Sequence, residues 1–456
     1  MRLLLSALVI GLGGACATLP KVSEKIEQAP PAPRPPRLAS PRGLLPPATS
    51  QAILDRLSRS AEGTDLLGRY IAVMETITQQ PLTKGNKVTL LVDGPATYAA
   101  MFEAIKNARV NVNLETFIFE DDATGRRFAD LLLRKQAEGV EVNLIVDSMG
   151  SFATGDAFFR RLRKGGIRVV EFNETNPLEA HRRWDPIHRD HRKVLIVDGK
   201  LAIIGGVNIS HVYSIGVSET RRNRKAPLAW RDTDVEIEGP GVAGFQQLFL
   251  DTWSKQKGPA LSQRDYFPKL KEEGDALVQA VGSTPGENNR RNFVAYVAAI
   301  TFAEHSVHLT NAYFIPDRQM LEALAAAARR GVDVELIVPS TTDSRLALDA
   351  QRYSYSVLLK SGVKIFERRN ALLHAKAAVL DGVWSTVGST NMDYWSFLSN
   401  DEVNAIILGR PFAVEMEKLF VQDAAASEQI LWSAWKHRSL AERIREWVAH
   451  LFLRWL

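Results

Sequence analysis

The chain has 456 residues, 45% hydrophobic and 24% charged, which excludes a disordered, collagen-like or coiled-coil body and leaves a globular protein able to bury a sizeable core or two. Lys and Arg number 57 against 52 Asp and Glu; the net +5 is too mild to argue a nucleic-acid partner, and an anionic membrane surface suits it equally well. The single cysteine, Cys16, excludes an intrachain disulfide and a cysteine-based zinc site.

At the N-terminus Met1 and Arg2 precede an apolar run, Leu3 to Leu12, and then Gly13, Gly14, Ala15 and Cys16. About 10 apolar residues are too few to span a bilayer as a helix. Residues 1–16 resemble a bacterial lipoprotein signal, which implies a lipidated Cys16 and a body facing the periplasm; the other reading is an apolar N-terminus with an incidental buried cysteine. Residues 17–50 hold nine of the 21 prolines and read as an extended tether. Residues 51–84 read as an N-terminal helical segment.

An internal repeat organises the rest. Gly139-Val140-Glu141-Val142-Asn143-Leu144-Ile145-Val146 and Gly331-Val332-Asp333-Val334-Glu335-Leu336-Ile337-Val338 alternate like strands. Each follows a helix-period stretch, with Phe128, Leu131 and Leu132 in one and Leu321, Leu324 and Ala328 in the other. An apolar strand lies upstream of each, Val110 to Phe119 and Val307 to Phe314, and a third matched strand downstream, Gly166 to Val170 and Gly362 to Phe366. Strands alternating with helices predict a duplicated α/β domain, with halves at 85–260 and 275–425. A polar insert, Asn173 to Ile187, precedes the key motif in the first half only and could form a lid.

After the third strand each half carries the same phrase. The first reads His191-Arg192-Lys193, Asp198, Gly205-Gly206-Val207-Asn208; the second reads His374-Ala375-Lys376, Asp381, Gly388-Ser389-Thr390-Asn391, with identical spacing. On a strand, His and Lys two apart share a face, and the Gly-containing turn returns Asn beside them. Lys fixes a positive charge, Asn offers a neutral donor and His titrates near neutrality, so two facing copies supply one nucleophile and one acid around an anionic oxygen. That chemistry calls for no metal and no cofactor, and no metal-binding spacing stands out. His181 and His188 lack the following Lys and Asp and read as loop residues.

The doubled motif resembles that of the phospholipase D superfamily, over about Leu90 to Leu408. The resemblance implies two repeats related by a pseudo-twofold axis, each a parallel or mixed sheet flanked by helices. His191 and His374 become nucleophile and general acid, the near-symmetry leaving their assignment open, and Lys193, Lys376, Asn208 and Asn391 become phosphate ligands. Asp198, Asp381, Gly205, Gly206, Gly388 and Ser389 read as structural members of the motif. Glu402 matches a carboxylate that orients an imidazole; in the first half Asp232 and Asp234 both fit that role. Glu115-Thr116-Phe117-Ile118-Phe119, Asn311-Ala312-Tyr313-Phe314-Ile315-Pro316-Asp317 and Gly388-Ser389-Thr390-Asn391-Met392-Asp393 resemble bacterial cardiolipin synthases. That implies phosphatidyl transfer between phospholipids, commonly phosphatidylglycerol, through a covalent phosphohistidine, in a monomer with its site between the repeats. An envelope phospholipase D that hydrolyses phosphodiesters, and an inactive lipoprotein scaffold, are the alternatives; a nuclease reading is weaker, since no basic run with interleaved aromatics marks a strand-binding groove.

Residues 426–456 read as an amphipathic C-terminal helix. Leu440, Ile444, Trp447, Val448, Leu451 and Trp455 recur at helical spacing, with Lys436, Arg438, Arg443, Arg445 and Arg454 nearby. Such a helix either lies in a membrane interface or docks on the body; Glu442, Arg443, Arg445 and Glu446 exclude a transmembrane span.

Overall fold

The computed structural model describes residues 18–29, 36–60, 63–78, 80–174, 187–217, 228–286 and 290–452. Cys16, His181 and most of the 173–187 insert lie outside them. Within 17–50 the described residues are not a tether. Helix α1 (Val22–Gln28) and the hairpin β1 (Leu38–Ser40) and β2 (Gly43–Leu44) lead into α2 (Pro47–Ser60) and α3 (Leu66–Met74). Val22, Leu38, Leu66, Leu67 and Tyr70 are buried in the core of the second repeat. Proline content led the expectation astray, because the apolar side chains between the prolines find a partner surface on which to bury.

The first half comprises β3 (Leu82–Val92), α4 (Asp93–Asn107), β4 (Asn111–Thr116), α5 (Ala123–Ala137), β5 (Glu141–Asp147), α6 (Asp156–Lys164) and β6 (Arg168–Phe172). It continues through β7 (Arg189–Asp190), β8 (Val194–Val197), β9 (Leu201–Gly205), β10 (Trp230–Arg231), β11 (Thr233–Glu238) and α7 (Val242–Lys255). The second half repeats this order as β12 (Ala276–Ser283), α8 (Arg291–Phe302), β13 (Ser306–Asn311), α9 (Arg318–Arg329), β14 (Asp333–Pro339), α10 (Arg345–Lys360) and β15 (Lys364–Arg368). There follow β16 (Leu372–Leu373), β17 (Lys376–Leu380), β18 (Trp384–Gly388), α11 (Tyr394–Leu398), β19 (Asn400–Leu408) and α12 (Arg410–Ala425). The helix-to-strand turns at Gly139 and Gly331 have φ of 89° and 95°, a conformation that L side chains resist, which is why glycine opens both copies of the repeated phrase.

Strand pairing makes the duplication visible. β6, β5 and β4 run parallel; β4 then pairs antiparallel with β8, β8 with β9, β9 with β11 and β11 with β3. The second half runs β15, β14, β13, β17, β18, β19, β12 with the same senses, and β3 pairs with β12 to join the two into one mixed sheet flanked by helices. β8 reads Val-Leu-Ile-Val and is buried throughout, as a strand covered on both faces must be.

The C-terminal region is more than one helix. β20 (Ser427–Ile430) pairs antiparallel with β15 at the edge of the second repeat's sheet, followed by α13 (Trp432–Trp435) and α14 (Leu440–His450). The second repeat's sheet therefore extends past residue 425. Among the described residues no helix is long and apolar enough to cross a membrane.

Candidate active site

Each motif begins at the C-terminal end of the parallel strands and runs back down the sheet. Lys376 pairs with Asn311 at the end of β13, and Val194, one residue past Lys193, pairs with Glu115 near the end of β4. Asp198 and Asp381 sit at the opposite end, roughly 20 Å away at strand rise. Both adopt positive φ, 54° and 49°. The Asp198 carboxylate accepts the backbone N–H groups of Arg109, Val110 and Asn111, and that of Asp381 those of Glu304, His305 and Ser306. They tie the motif hairpin to the start of the neighbouring strand and touch nothing at the other end.

The two repeats complete each other's histidines. β7 pairs with the start of β19, and the His191 N–H donates to the Asp401 carbonyl at 2.9 Å. β10 pairs with β16, and the His374 N–H donates to the Arg231 carbonyl at 2.8 Å. The residue after each accepting carbonyl is the carboxylate, Glu402 or Asp232. His191 Nδ1 lies 3.0 Å from Glu402 Oε1, and His374 Nδ1 lies 2.7 Å from Asp232 Oδ2. An Nδ1–H held by a carboxylate leaves Nε2 as the free lone pair. Each imidazole of one repeat is thus oriented by an acid of the other.

Of the two first-half acids, Asp232 takes this position and Asp234 does not. Asp234 bonds the Thr97 hydroxyl at 2.8 Å, and burial, followed by the nearby Asp232 charge, pushes its carboxyl up to about 7. Close approach of the carboxylate strand explains Gly205 and Gly206: a Cβ on either would overlap the side chain of Asp234 or Asp232. At the position matching Gly206, Ser389 instead donates its hydroxyl to Glu402.

Lys193 and Lys376 are buried, each ammonium donating to the carbonyl of the histidine two residues before it. Asn208 Oδ1 accepts the Ile118 N–H at 3.1 Å and its Nδ2 lies 3.1 Å from the Tyr213 hydroxyl, which lies 3.4 Å from His374 Nδ1. Asn391 is buried, and its Oδ1 finds no hydrogen-bond partner among the described residues. Phe117 meets His191 edge-on at 5.2 Å, and Trp230 meets His374 at 5.1 Å.

Burial sets the electrostatics. It pushes Lys193 down to about 7 and Lys376 to about 8, against the pull of Glu402 on the first and of Asp232 on the second. For Lys193 that is about 5 kcal/mol against the charged form, which a bound anion would offset. Burial also lowers His191 and takes His374 to about 4, with Lys376 adding to it. Burial opposes ionisation of Asp232 and Glu402 as well, but His374 and Lys376 for the one, and His191 and Lys193 for the other, outweigh it and hold both carboxyls below their ordinary range. His191 responds to the Lys376 charge and His374 to the Lys193 charge, so both motifs form one cluster. Two imidazoles whose Nε2 atoms face away from their carboxylates and two desolvated ammonium groups form a cluster suited to a phosphodiester anion.

The family model described as "Cardiolipin synthase, PLD-like domain" matches residues 101–220 and 296–424, one segment for each motif. The chain belongs to this family. It is similar to cardiolipin synthase A of Pseudomonas aeruginosa, 36% identical over 354 residues, 77% of this chain and 69% of that one. Cardiolipin synthase of Listeria monocytogenes is 35% identical over 372 residues, 81% of this chain and 75% of that one. The crystal structure of phosphatidylserine synthase from Haemophilus influenzae superposes with a TM-score of 0.61 at 13% identity, covering 88% of this chain and all of that one, a likeness of fold. As a phospholipase D-type enzyme, the chain carries the doubled motif in a duplicated α/β fold.

Sequence reasoning missed several members of this neighbourhood. His188 lies in the loop before β7, as expected, but it is held there, its Nε2 2.9 Å from Asp401 Oδ1. Behind His191, the buried Glu115, Asp190 and Asp401 surround the Arg192 guanidinium. Tyr213, five residues past Asn208, has no counterpart at the matching second-half position, Ser396, so the repeat pattern could not flag it. Phe314 is core, whereas Tyr313 is partly buried and its hydroxyl donates to Asp343.

Proposed function

We propose that this enzyme transfers a phosphatidyl group between phospholipids through a phosphohistidine shared between its two motifs. The observation that carries the reading is the crossed pairing of His191 with Glu402 and His374 with Asp232 around Lys193 and Lys376. One Nε2 attacks phosphorus, the bond from phosphorus to the leaving glycerol oxygen breaks, and the other imidazole, protonated once the bound anion favours it, gives that oxygen its proton. A hydroxyl of a second lipid then attacks phosphorus, its proton passes to the second imidazole, and the N–P bond breaks. Lys193, Lys376, Asn208 and Asn391 hold the non-bridging oxygens as charge builds on them. Asp232 and Glu402 keep the tautomer and steady the imidazolium.

Transfer rather than hydrolysis follows from the cardiolipin synthases at about 35% identity over most of the chain. Phosphatidylglycerol fits as both donor and acceptor, with glycerol released. Purified protein given labelled phosphatidylglycerol should form a dimeric lipid; phosphatidic acid without any dimeric lipid would overturn the reading. Both halves of the site come from one chain, which supports action as a monomer. The lipoprotein-like start extends the proposal to a body held at the envelope membrane by a lipidated Cys16 and facing the periplasm. Mass spectrometry of the mature N-terminus tests it, an unmodified Cys16 being the outcome against.

A further inference from the structure

Helix α14 packs on the body the wrong way round. Its docking side is polar or small: Glu446 is buried in a pair with Arg438 at 2.9 Å, Ala449 packs against Tyr313, Ile315, Ala347 and Ala350, and His450 stacks on Tyr353 at 3.9 Å. The opposite side holds Leu440, Ile444, Trp447, Val448 and Leu451, between 39% and 69% exposed. A helix that docks only to bury apolar area would turn the other way. Its fold is nonetheless fixed, with a Ser439–Glu442 capping box at its start.

The location of α14 gives the exposed stripe a meaning. Tyr313, against which Ala449 packs, lies two residues beyond Asn311, the partner of Lys376 at the end of β13. The helix therefore flanks the end of the sheet where the two histidines meet. Other exposed apolar side chains lie at that same end: Met149 and Phe152 follow β5 in a turn whose Gly150 abuts Phe117, the ring against His191, and Trp395 follows Asn391. The described chain also enters there, since the N–H of Val22 donates to the Gln319 side chain, and Gln319 to the Pro20 carbonyl, in the first turn of α9 just beyond β13. Exposed Arg443 and Lys436 add positive charge at the helix, beside Arg445, which pairs with Asp349 at 3.7 Å, and favour an anionic occupant.

Resting on the phospholipid reading above, we propose that α14 and the loop tips at the cleft mouth form a docking face for an anionic bilayer. The helix lies in the interface with Trp447 and Ile444 among the acyl chains, and the cleft opens onto the lipid surface rather than into water. Lipid then reaches the histidines without leaving the membrane.

The test uses the full chain with Cys16→Ser, so that no lipid anchor contributes, and vesicles of phosphatidylglycerol with phosphatidylcholine. The Ile444→Glu, Trp447→Glu variant changes two exposed side chains. It should bind vesicles at least tenfold more weakly and lose activity on them in proportion, while keeping its rate on a short-chain phosphatidylglycerol below its micelle concentration. Trp447 fluorescence, read with the remaining tryptophan signal subtracted through Trp447→Phe, should shift to the blue on vesicles. Unchanged vesicle binding by the double variant overturns the proposal, as does equal loss on the monomeric substrate, which would mean a structural role. Self-association abolished by the same changes, with vesicle binding intact, would assign the face to a second copy instead. A His191→Ala chain that binds vesicles normally but turns nothing over separates this proposal from the chemistry.

Discussion

The two histidine centres are built to one plan with different parts. His191 takes a long carboxylate, Glu402, steadied by the Ser389 hydroxyl; His374 takes a short one, Asp232, against a glycine at the matching position, and has Tyr213 and Trp230 around its ring. The surroundings differ in charge too. His374 is pushed to about 4 by burial, with the Lys376 charge next in the same direction, whereas His191 is lowered by burial with the opposing Glu402 charge next. The backbone scaffold conserves geometry and the side chains tune basicity, so a near-symmetric site can still give unlike roles to its two rings.

The largest break comes from removing either ring. His191→Ala and His374→Ala should each lower kcat by about 10⁴ or more, because each ring serves both half-reactions. Rapid quenching with labelled lipid sharpens the comparison: covalent label should survive in one of the two variants only, and label in both or neither would show that the rings do not divide the roles. Lys193→Ala and Lys376→Ala should cost about 10²–10³ each, measured as kcat/KM on phosphatidylglycerol. The glycine–serine contrast is next. Gly206→Ala forces a Cβ into the Asp232 carboxylate and should cost about 10² in rate, whereas Ser389→Ala removes a hydroxyl from Glu402 and should cost about tenfold; equal effects would mean the two acids are held alike.

The smallest effect is in pH. Because kcat/KM reports the free enzyme, it should fall as pH rises through about 7 to 8, where Lys193 and then Lys376 lose charge. Stability works the other way round for the histidines. A ring whose pKa is depressed in the folded protein contributes stability that is present above 6.5 and lost as pH falls toward about 4, so the urea midpoint should drop over that window, and less so in His374→Gln.

The duplicated fold was legible because three strand-helix phrases recur in order and the motif spacing is identical in both halves. Two kinds of feature were hidden. The choice of Asp232 over Asp234, two residues apart and so alike in strand alternation, depends on β10 pairing with β16, which sets Asp232 against His374, and the crossing of carboxylates between repeats is long-range pairing that no local pattern encodes. The packing of residues 18–29 and 36–50 was misread for a related reason: prolines announce what a segment cannot form, while Val22 is buried with α8, some 270 residues away in sequence, and Leu38 beside Leu82 of β3.

Exchange of acids between the halves also fixes when the enzyme can switch on. A growing polypeptide that has released His191 but not yet Glu402 holds an imidazole with no partner and no second ring, and phosphodiester cleavage must wait for residues more than 200 positions downstream. A chain truncated before Glu402 leaves His191 without the acid that orients it.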